Sequence, residues 1–388
     1  MPGIITAESA ENKNALYIYE QADWPNFEYE AEAIAEPLAQ LRFEQGRLIG
    51  SMEALGFKLR QETDLQTISQ DVIKTSEIEG EILDSDEVRS SVARRLGLDM
   101  AGLKPSGRAV DGVVAMLVDA TKNSSAALSE ARLFGWHAAI FPTGYSGMFQ
   151  IKVGAYRDGS AGPMQVVSGA IGHEKVHFQA PEADRVPTEM KKFLRWFEGN
   201  QGNEGSSDLD PIIKSAIAHF WLVTIHPFED GNGRIARAVA DMVLARADQV
   251  SERFYSMSSQ IRVERKTYYD ILERTQKQNK SLDITGWLTW YLACLGRAIA
   301  SAQQVRQSAV RKARVFDKIS QISTNDRQNK VINKLLSEFE GKLTSSKWAK
   351  MAGCSQDTAH RDIADLVVKG VLQKDEGGGR STSYSLLE

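Results

Sequence analysis

Apolar positions recur with helical spacing along most of this chain. In "AEAIAEPLAQLRFEQGRLIGSMEALG" they fall three and four apart, which predicts a helix broken at Pro37 and closed at Gly56. "LSEARLFGWHAAIFP" and "VPTEMKKFLRWFEGN" are amphipathic. "DPIIKSAIAHFWLVTI" is apolar nearly all round, as a helix buried at the centre of a bundle should be. Pro227 closes that helix, and "RIARAVADMVLARAD" resumes the helical period, so a short polar loop joins two helices. One segment departs from the pattern. In "MQVVSGAIGHEKVHFQAP", residues 164–181, β-branched residues flank a Gly-containing turn and predict a hairpin. The chain reads as mainly α with one hairpin.

The patterning also divides the chain. Residues 1–65 hold the aromatic cluster "YIYEQADWPNFEYE", whose Tyr17, Tyr19, Trp24, Phe27 and Tyr29 are expected to pack on the neighbouring domain. Residues 66–300 form the largest helical region. A basic, Gln-rich helix and a polar linker fill 301–326, and residues 327–388 read as a small domain of their own. There the pattern is helix, tight turn, helix and a two-stranded wing, with Thr344 as N-cap and Gly370 ending the second helix.

At 388 residues, two or three units are expected. An apolar fraction of 42% and a charged fraction of 25% fit a globular protein with a sizeable core. A net charge of -4 gives no general pull toward nucleic acid or anionic membrane. The two cysteines, Cys294 and Cys354, are far apart and point to a reducing compartment without a disulfide framework. The N-terminal stretch lacks a basic start followed by an apolar run, and no apolar run nears the roughly eighteen residues of a membrane span. A cytoplasmic location without membrane contact is the expectation.

The loop between the two helices concentrates the chemistry. "HPFEDGNGRIAR", residues 226–237, leads into a helix N-terminus, where unpaired backbone N–H groups and the helix dipole attract anions. Gly231 and Gly233 can adopt positive φ and let the backbone approach a phosphate closely. The Asn232 amide can orient phosphate oxygens. Arg234 and Arg237, three apart, project from one helix face and suit a polyphosphate. Asp230 offers a hard oxygen ligand for Mg²⁺ beside that phosphate site. His226 titrates near neutrality and can take a proton from an attacking hydroxyl. Phe228 reads as a core anchor. A lone "DGNG" is usually only a turn, but a turn has no use for the histidine, the acid and both arginines. The P-loop pattern GxxxxGK[ST] is absent.

The stretch matches in full the HPFx[DE]GNGRxxR motif of the Fic family, and the resemblance extends over roughly 65–300. It implies a Fic-type helical bundle in which 165–178 is a β-hairpin flap. The implied activity is transfer of AMP from ATP, with Mg²⁺, to a Ser, Thr or Tyr hydroxyl of a target protein. His226 would be the base and Asp230 the metal ligand. Gly231, Asn232 and Gly233 would line an anion hole, and Arg234 and Arg237 would hold the β- and γ-phosphates. Glycine at 233 resembles the AMP-transferring members, since the Doc-type kinases of the family carry lysine there.

Upstream, "TSEIEGE" fits the family's inhibitory pattern [ST]xxxE[GN] through Thr75, Glu79 and Gly80. By resemblance, 70–82 is an inhibitory helix whose Glu79 pairs with Arg237 and competes with the γ-phosphate. Self-modification and reverse hydrolysis of the AMP ester are implied secondary activities. Along the flap, Val167, Ile171 and Val176 are the candidates for docking a target strand by edge addition. His173 and His177, four apart, are expected to be solvent-exposed rather than metal ligands.

The tail resembles the winged-helix domains appended to many Fic proteins. DNA binding would use Ser355, Gln356, Thr358 and Arg361 on the second helix and Arg380 on the wing. Yet 327–388 holds ten Lys or Arg against eight Asp or Glu, little surplus for phosphate contacts. A protein-interaction or dimer-orienting role stands beside DNA binding. The family also implies a homodimer, for which the chain carries no motif of its own. The alternative to an adenylyltransferase is a nucleotide-sensing, DNA-binding regulator with little catalysis. Transfer of another group, such as UMP or phosphocholine, is a third reading.

Overall fold

The structure, a computed structural model, describes residues 17–98, 104–160, 162–168, 175–199, 209–250, 252–278, 280–320, 322–337, 341–375 and 382–387. The chain divides into two compact units, one ending at Ala302 and the other beginning at Gln303.

In the first unit, α1 (Ala31–Glu53) runs straight through Pro37, where a break was expected. Pro37 and Ala33, whose carbonyl loses its N–H partner to the proline ring, are both exposed, so the freed carbonyl is open to solvent. Then follow α2 (Phe57–Ile78), α3 (Ser85–Arg95), α4 (Arg108–Lys122) and α5 (Glu130–Ile140). Two short hairpins come next, β1 (Tyr145–Ser146) with β2 (Phe149–Gln150) and β3 (Gln165–Ser168) with β4 (Lys175–Gln179). After them come α6 (Val186–Glu198), α7 (Pro211–Ile225), α8 (Asn232–Asp248), α9 (Met257–Val263), α10 (Arg265–Gln276) and α11 (Thr285–Ser320), which continues past Ala302 into the second unit.

The centre of this unit is the α7–α8 pair. Every residue of α7 except Pro211 and Lys214 is buried, as its all-round apolar sequence requires. Arginines 234 and 237 are buried with the apolar face of α8. The N-terminal aromatics pack on this unit: Trp24 and Phe27 lie edge-on against Trp221 of α7, and Tyr17 and Tyr19 against Phe178 of β4. The Trp24 indole N–H donates to Glu189 at 2.9 Å. The helix expected over 70–82 begins at Phe57 instead, so the expected boundary at 65/66 falls inside one continuous helix. "FKLRQETDLQ" has so little apolar contrast that its helical start did not show in the pattern.

The second unit contains α12 (Asp326–Ser337), α13 (Ser345–Ala352), α14 (Gln356–Val368) and a hairpin of β5 (Leu372–Lys374) with β6 (Tyr384–Leu386). It has its own core of Val331, Ile332, Leu343, Trp348, Ile363 and Leu366. Thr344 caps α13, accepting from the Lys347 N–H, and Ser355 caps α14. No helix among the described residues is long and apolar enough to cross a membrane.

Candidate functional site

α7 ends at His226, which takes a left-handed conformation (φ 52°, ψ 59°). Such a backbone costs a non-glycine residue on the order of 1–3 kcal/mol and persists only where its surroundings hold it. Here Arg157 does so: its Nε donates to the His226 carbonyl at 2.8 Å and its backbone N–H to the Pro227 carbonyl at 3.0 Å. The ring is held as well. Nδ1 lies 3.1 Å from the Val223 carbonyl, which can only accept, so Nδ1 carries the proton and Nε2 is left with its lone pair. Burial lowers the His226 pKa below its ordinary value, which keeps the imidazole neutral.

The loop after it is braced from both ends. Phe228 is fully buried, as expected, and its backbone N–H and C=O are both satisfied by the Asn232 side chain at 2.9 Å. That corrects the expectation that the Asn232 amide faces phosphate: it closes the loop, because a buried backbone pair needs partners. At Gly231 (φ 80°) the chain turns into α8, and an added Cβ would sit 2.7 Å from Ile140 Cδ1. The Asp230 carboxylate accepts from the Gly231 N–H at 2.5 Å and from the Ser146 hydroxyl. Its backbone carbonyl lies 3.2 Å from His137 Nε2. Because the Gly154 N–H donates to His137 Nδ1 at 3.1 Å, the proton is on Nε2, pointing at Asp230. His137 stacks on Phe228 with ring centroids 4.3 Å apart, and burial depresses its pKa to about 4. Sequence reasoning missed this second histidine, since nothing in "GWHAAIF" sets it apart from a core residue.

The two arginines are both occupied. Arg237, 2% exposed, donates from Nε to the Thr75 hydroxyl at 2.8 Å, and from Nη2 to the Thr75 carbonyl at 3.0 Å and to Glu79 Oε1 at 2.6 Å. Arg234, 3% exposed, pairs with Glu81 at 2.7 Å and lies over the Phe141 ring, 5.0 Å from its centroid. Glu79 is the C-cap of α2, directly after Ile78. Gly80 (φ 90°) follows it, and the Glu81 N–H returns to the Ser76 carbonyl at 3.0 Å, the six-to-one bond of a Schellman turn. The Glu79 carboxylate lies directly over α8: a Cβ added at Gly233 would be 2.2 Å from Oε1.

Glu79, His226, Asp230, Asn232 and Gly233 border a cavity of about 430 Å³. Its other walls are Val166, Val167 and Phe178 of the hairpin and Tyr268, Tyr269 and Leu272 of α10. Val167 faces Val176 across the hairpin, and both are exposed. Ile171, at the expected tip, lies outside the described residues, as does His173. His177, expected in solvent, is half-buried instead: its Nδ1 is 2.6 Å from Glu273 of α10 and its Nε2 2.6 Å from the Ser168 hydroxyl. A strand residue can be exposed in pattern and still be claimed by a helix distant in sequence.

Asp230 fits a hard divalent cation shared with phosphate oxygens. Its carboxylate accepts only from neutral donors and makes no ion pair among the described residues. No group of three or more His, Cys, Asp or Glu among those residues could hold a metal by protein ligands alone. In the second unit, the Gln356 amide donates to the Ser346 hydroxyl at 2.9 Å, Thr358 is half-buried beside Ser355, and Arg361 is exposed. Arg380 lies outside the described residues.

Residues 127–244 match the Fic/DOC family, and residues 17–98 match a domain of unknown function, DUF4172. The protein adenylyltransferase fic-1 of Caenorhabditis elegans is 34% identical over 92 residues, 23% of this chain and 17% of that protein. The protein adenylyltransferase Fic of Drosophila melanogaster is 47% identical over 58 residues, 15% of this chain and 11% of that protein. The matched stretches thus span less than a fifth of those relatives. Among solved structures, a Fic family protein from Desulfovibrio desulfuricans G20 superposes with a TM-score of 0.51 at 22% identity, covering 92% of this chain and 97% of that one. A Fic domain containing signaling protein from Bacteroides thetaiotaomicron VPI-5482 gives 0.50 at 21%, covering 69% and 96%. At these identities the likeness concerns the fold.

Proposed function

We propose that this chain, which carries a Fic/DOC domain, is a protein adenylyltransferase restrained by its own Glu79. The observation that carries the reading is that His226, whose Nδ1–H is committed to Val223, lines the same cavity as Asn232 and Gly233 at the start of α8. A target Ser, Thr or Tyr hydroxyl attacks the α-phosphorus of ATP, and Nε2 takes its proton. The bond from the α-phosphorus to the bridging oxygen breaks, and pyrophosphate leaves. The backbone N–H groups at the start of α8 stabilise charge on the α-phosphoryl oxygens. Arg234 and Arg237 receive the outer phosphates. Mg²⁺, when bound, neutralises phosphate charge beside Asp230.

With Glu79 on Arg237, the γ-phosphate has no seat there, so ATP binds poorly or in an unproductive pose. The target enters along the flap. Among the described residues β3 and β4 pair with no third strand, so an extended segment can add to an edge, with exposed Val167 and Val176 beside it.

The test uses Mg²⁺ and α-labelled ATP with wild type, Glu79→Gly, and Glu79→Gly combined with His226→Ala. Label should move onto protein, this chain included, in Glu79→Gly, and fall by roughly 10²–10⁴ when the base is removed. Equal labelling of wild type would discard the brake. Silence in every variant, with γ-label also silent, would favour a nucleotide-sensing regulator.

A further inference from the structure

We infer that Glu81 is a second specificity-determining carboxylate of the nucleotide site, excluding the outer phosphates through Arg234 as Glu79 does through Arg237. The inference deepens the proposed function and rests on it for the identity of the ligand. α8 presents two guanidinium groups on one face, and the turn after α2 neutralises both, one acid each, at 2.6 and 2.7 Å. The cause is local. Gly80 takes φ 90° and the Glu81 N–H folds back to Ser76, so the acids on either side of the glycine both reach α8.

Arg234 has no other ion-pair partner among the described residues, and the Phe141 ring covers one side of it. With the arginine almost wholly buried, Glu81 is the counter-ion that makes its charge tolerable there. An incoming polyphosphate must displace that carboxylate. A monophosphate need not, because backbone N–H groups at the head of α8 suffice to hold one phosphoryl group. Losing Glu79 alone therefore frees one guanidinium and leaves the other occupied. The Glu81 side chain is 50% exposed, so the pair is screened and displaceable, a bias between ligands rather than a block.

The experiment measures the affinity of the full chain for ATP and for AMP, both with Mg²⁺, by titration calorimetry. Wild type, Glu81→Gln, Glu79→Gly and the double variant are compared, and AMP transfer is assayed in parallel. Glu77→Gln serves as control, since Glu77 pairs with Lys74 and Arg262 instead. Glu81→Gln should tighten ATP roughly three- to fivefold, the worth of one half-exposed ion pair, in both backgrounds. AMP affinity should stay unchanged, and in the Glu79→Gly background KM for ATP should fall while kcat holds. An ATP-to-AMP affinity ratio that Glu81→Gln leaves unmoved, or that Glu77→Gln moves as much, overturns the inference. If transfer is intact in Glu79→Gly, the enzymatic reading then survives alone. A ratio that shifts while no variant transfers AMP supports Glu81 as the selector and sinks the transferase reading. Failure of ATP to bind any variant overturns both.

Discussion

His226 is held in one tautomer. With Nδ1–H committed to the Val223 carbonyl, the base we propose at Nε2 would act only when the ring is neutral, and burial lowers the pKa. The sign follows directly: transfer by Glu79→Gly should hold a plateau at neutral pH and fall only below the ordinary histidine value of 6.5, as the ring takes a second proton. A pH–rate profile of the variant checks this, and a midpoint above that value would contradict it. Asn232→Ala leaves two buried backbone groups at Phe228 without partners. It should cost about 2 kcal/mol or more of stability by denaturant titration and impair transfer, although the amide is committed to the loop backbone. The residue types of this site were legible in "HPFEDGNGRIAR", but their partners were not. His137 meets Asp230 across 93 residues and Glu81 meets Arg234 across 153, and no local pattern carries such separations.

At the scale of elements, the hairpin and the end of α2 both border the cavity. The hairpin was legible because alternation and a turn are local, whereas its attachment to α10 through His177 and Glu273 was not. Glu273→Gln weakens that tether. It should speed amide exchange over 175–179 and raise KM for a protein target; exchange identical to wild type would count against the tether. Gly80→Ala forces a side chain into φ 90° and should disturb both acids that flank it, at a cost of about 1 kcal/mol. Basal AMP transfer by otherwise wild-type protein should rise with it. Further along, α2 and α8 meet over a buried acidic pair: burial, then the neighbouring Asp241, hold the Asp71 carboxyl up to about 8. A carboxyl raised in the folded state binds more protons there than when unfolded, so stability falls as pH rises from about 4 toward 8. Asp71→Asn should flatten that fall, read as Tm against pH.

For the molecule as a whole, helical content and the central buried helix were legible, since period and all-round apolarity are properties of single segments. The division at Ala302/Gln303 fell close to the expected change at 300, where a core-forming pattern gives way to a polar one. The second unit has a separate core, so calorimetry should resolve its unfolding from that of the first. We propose a winged-helix role for it in contacts with DNA or protein. With ten basic and eight acidic residues over 327–388, any duplex binding should show a shallow salt dependence.

The helix that ends in Glu79 is also masonry. Leu65, Ile68 and Val72 of α2 are buried in the same core as α7 and α8, and the helix packs along α3 and α9. The restraint we propose therefore cannot detach as a lobe swings away, because the upstream turns of α2 are part of the core. Thr75, Ser76 and Ile78 are buried as well, and of this end only Glu79, Gly80 and Glu81 are exposed, so those three residues are the part left to move. Activation of this protein should then be nearly silent to methods that weigh shape: sedimentation and small-angle scattering of the restrained and released forms should superimpose, while amide exchange at a handful of residues tells them apart.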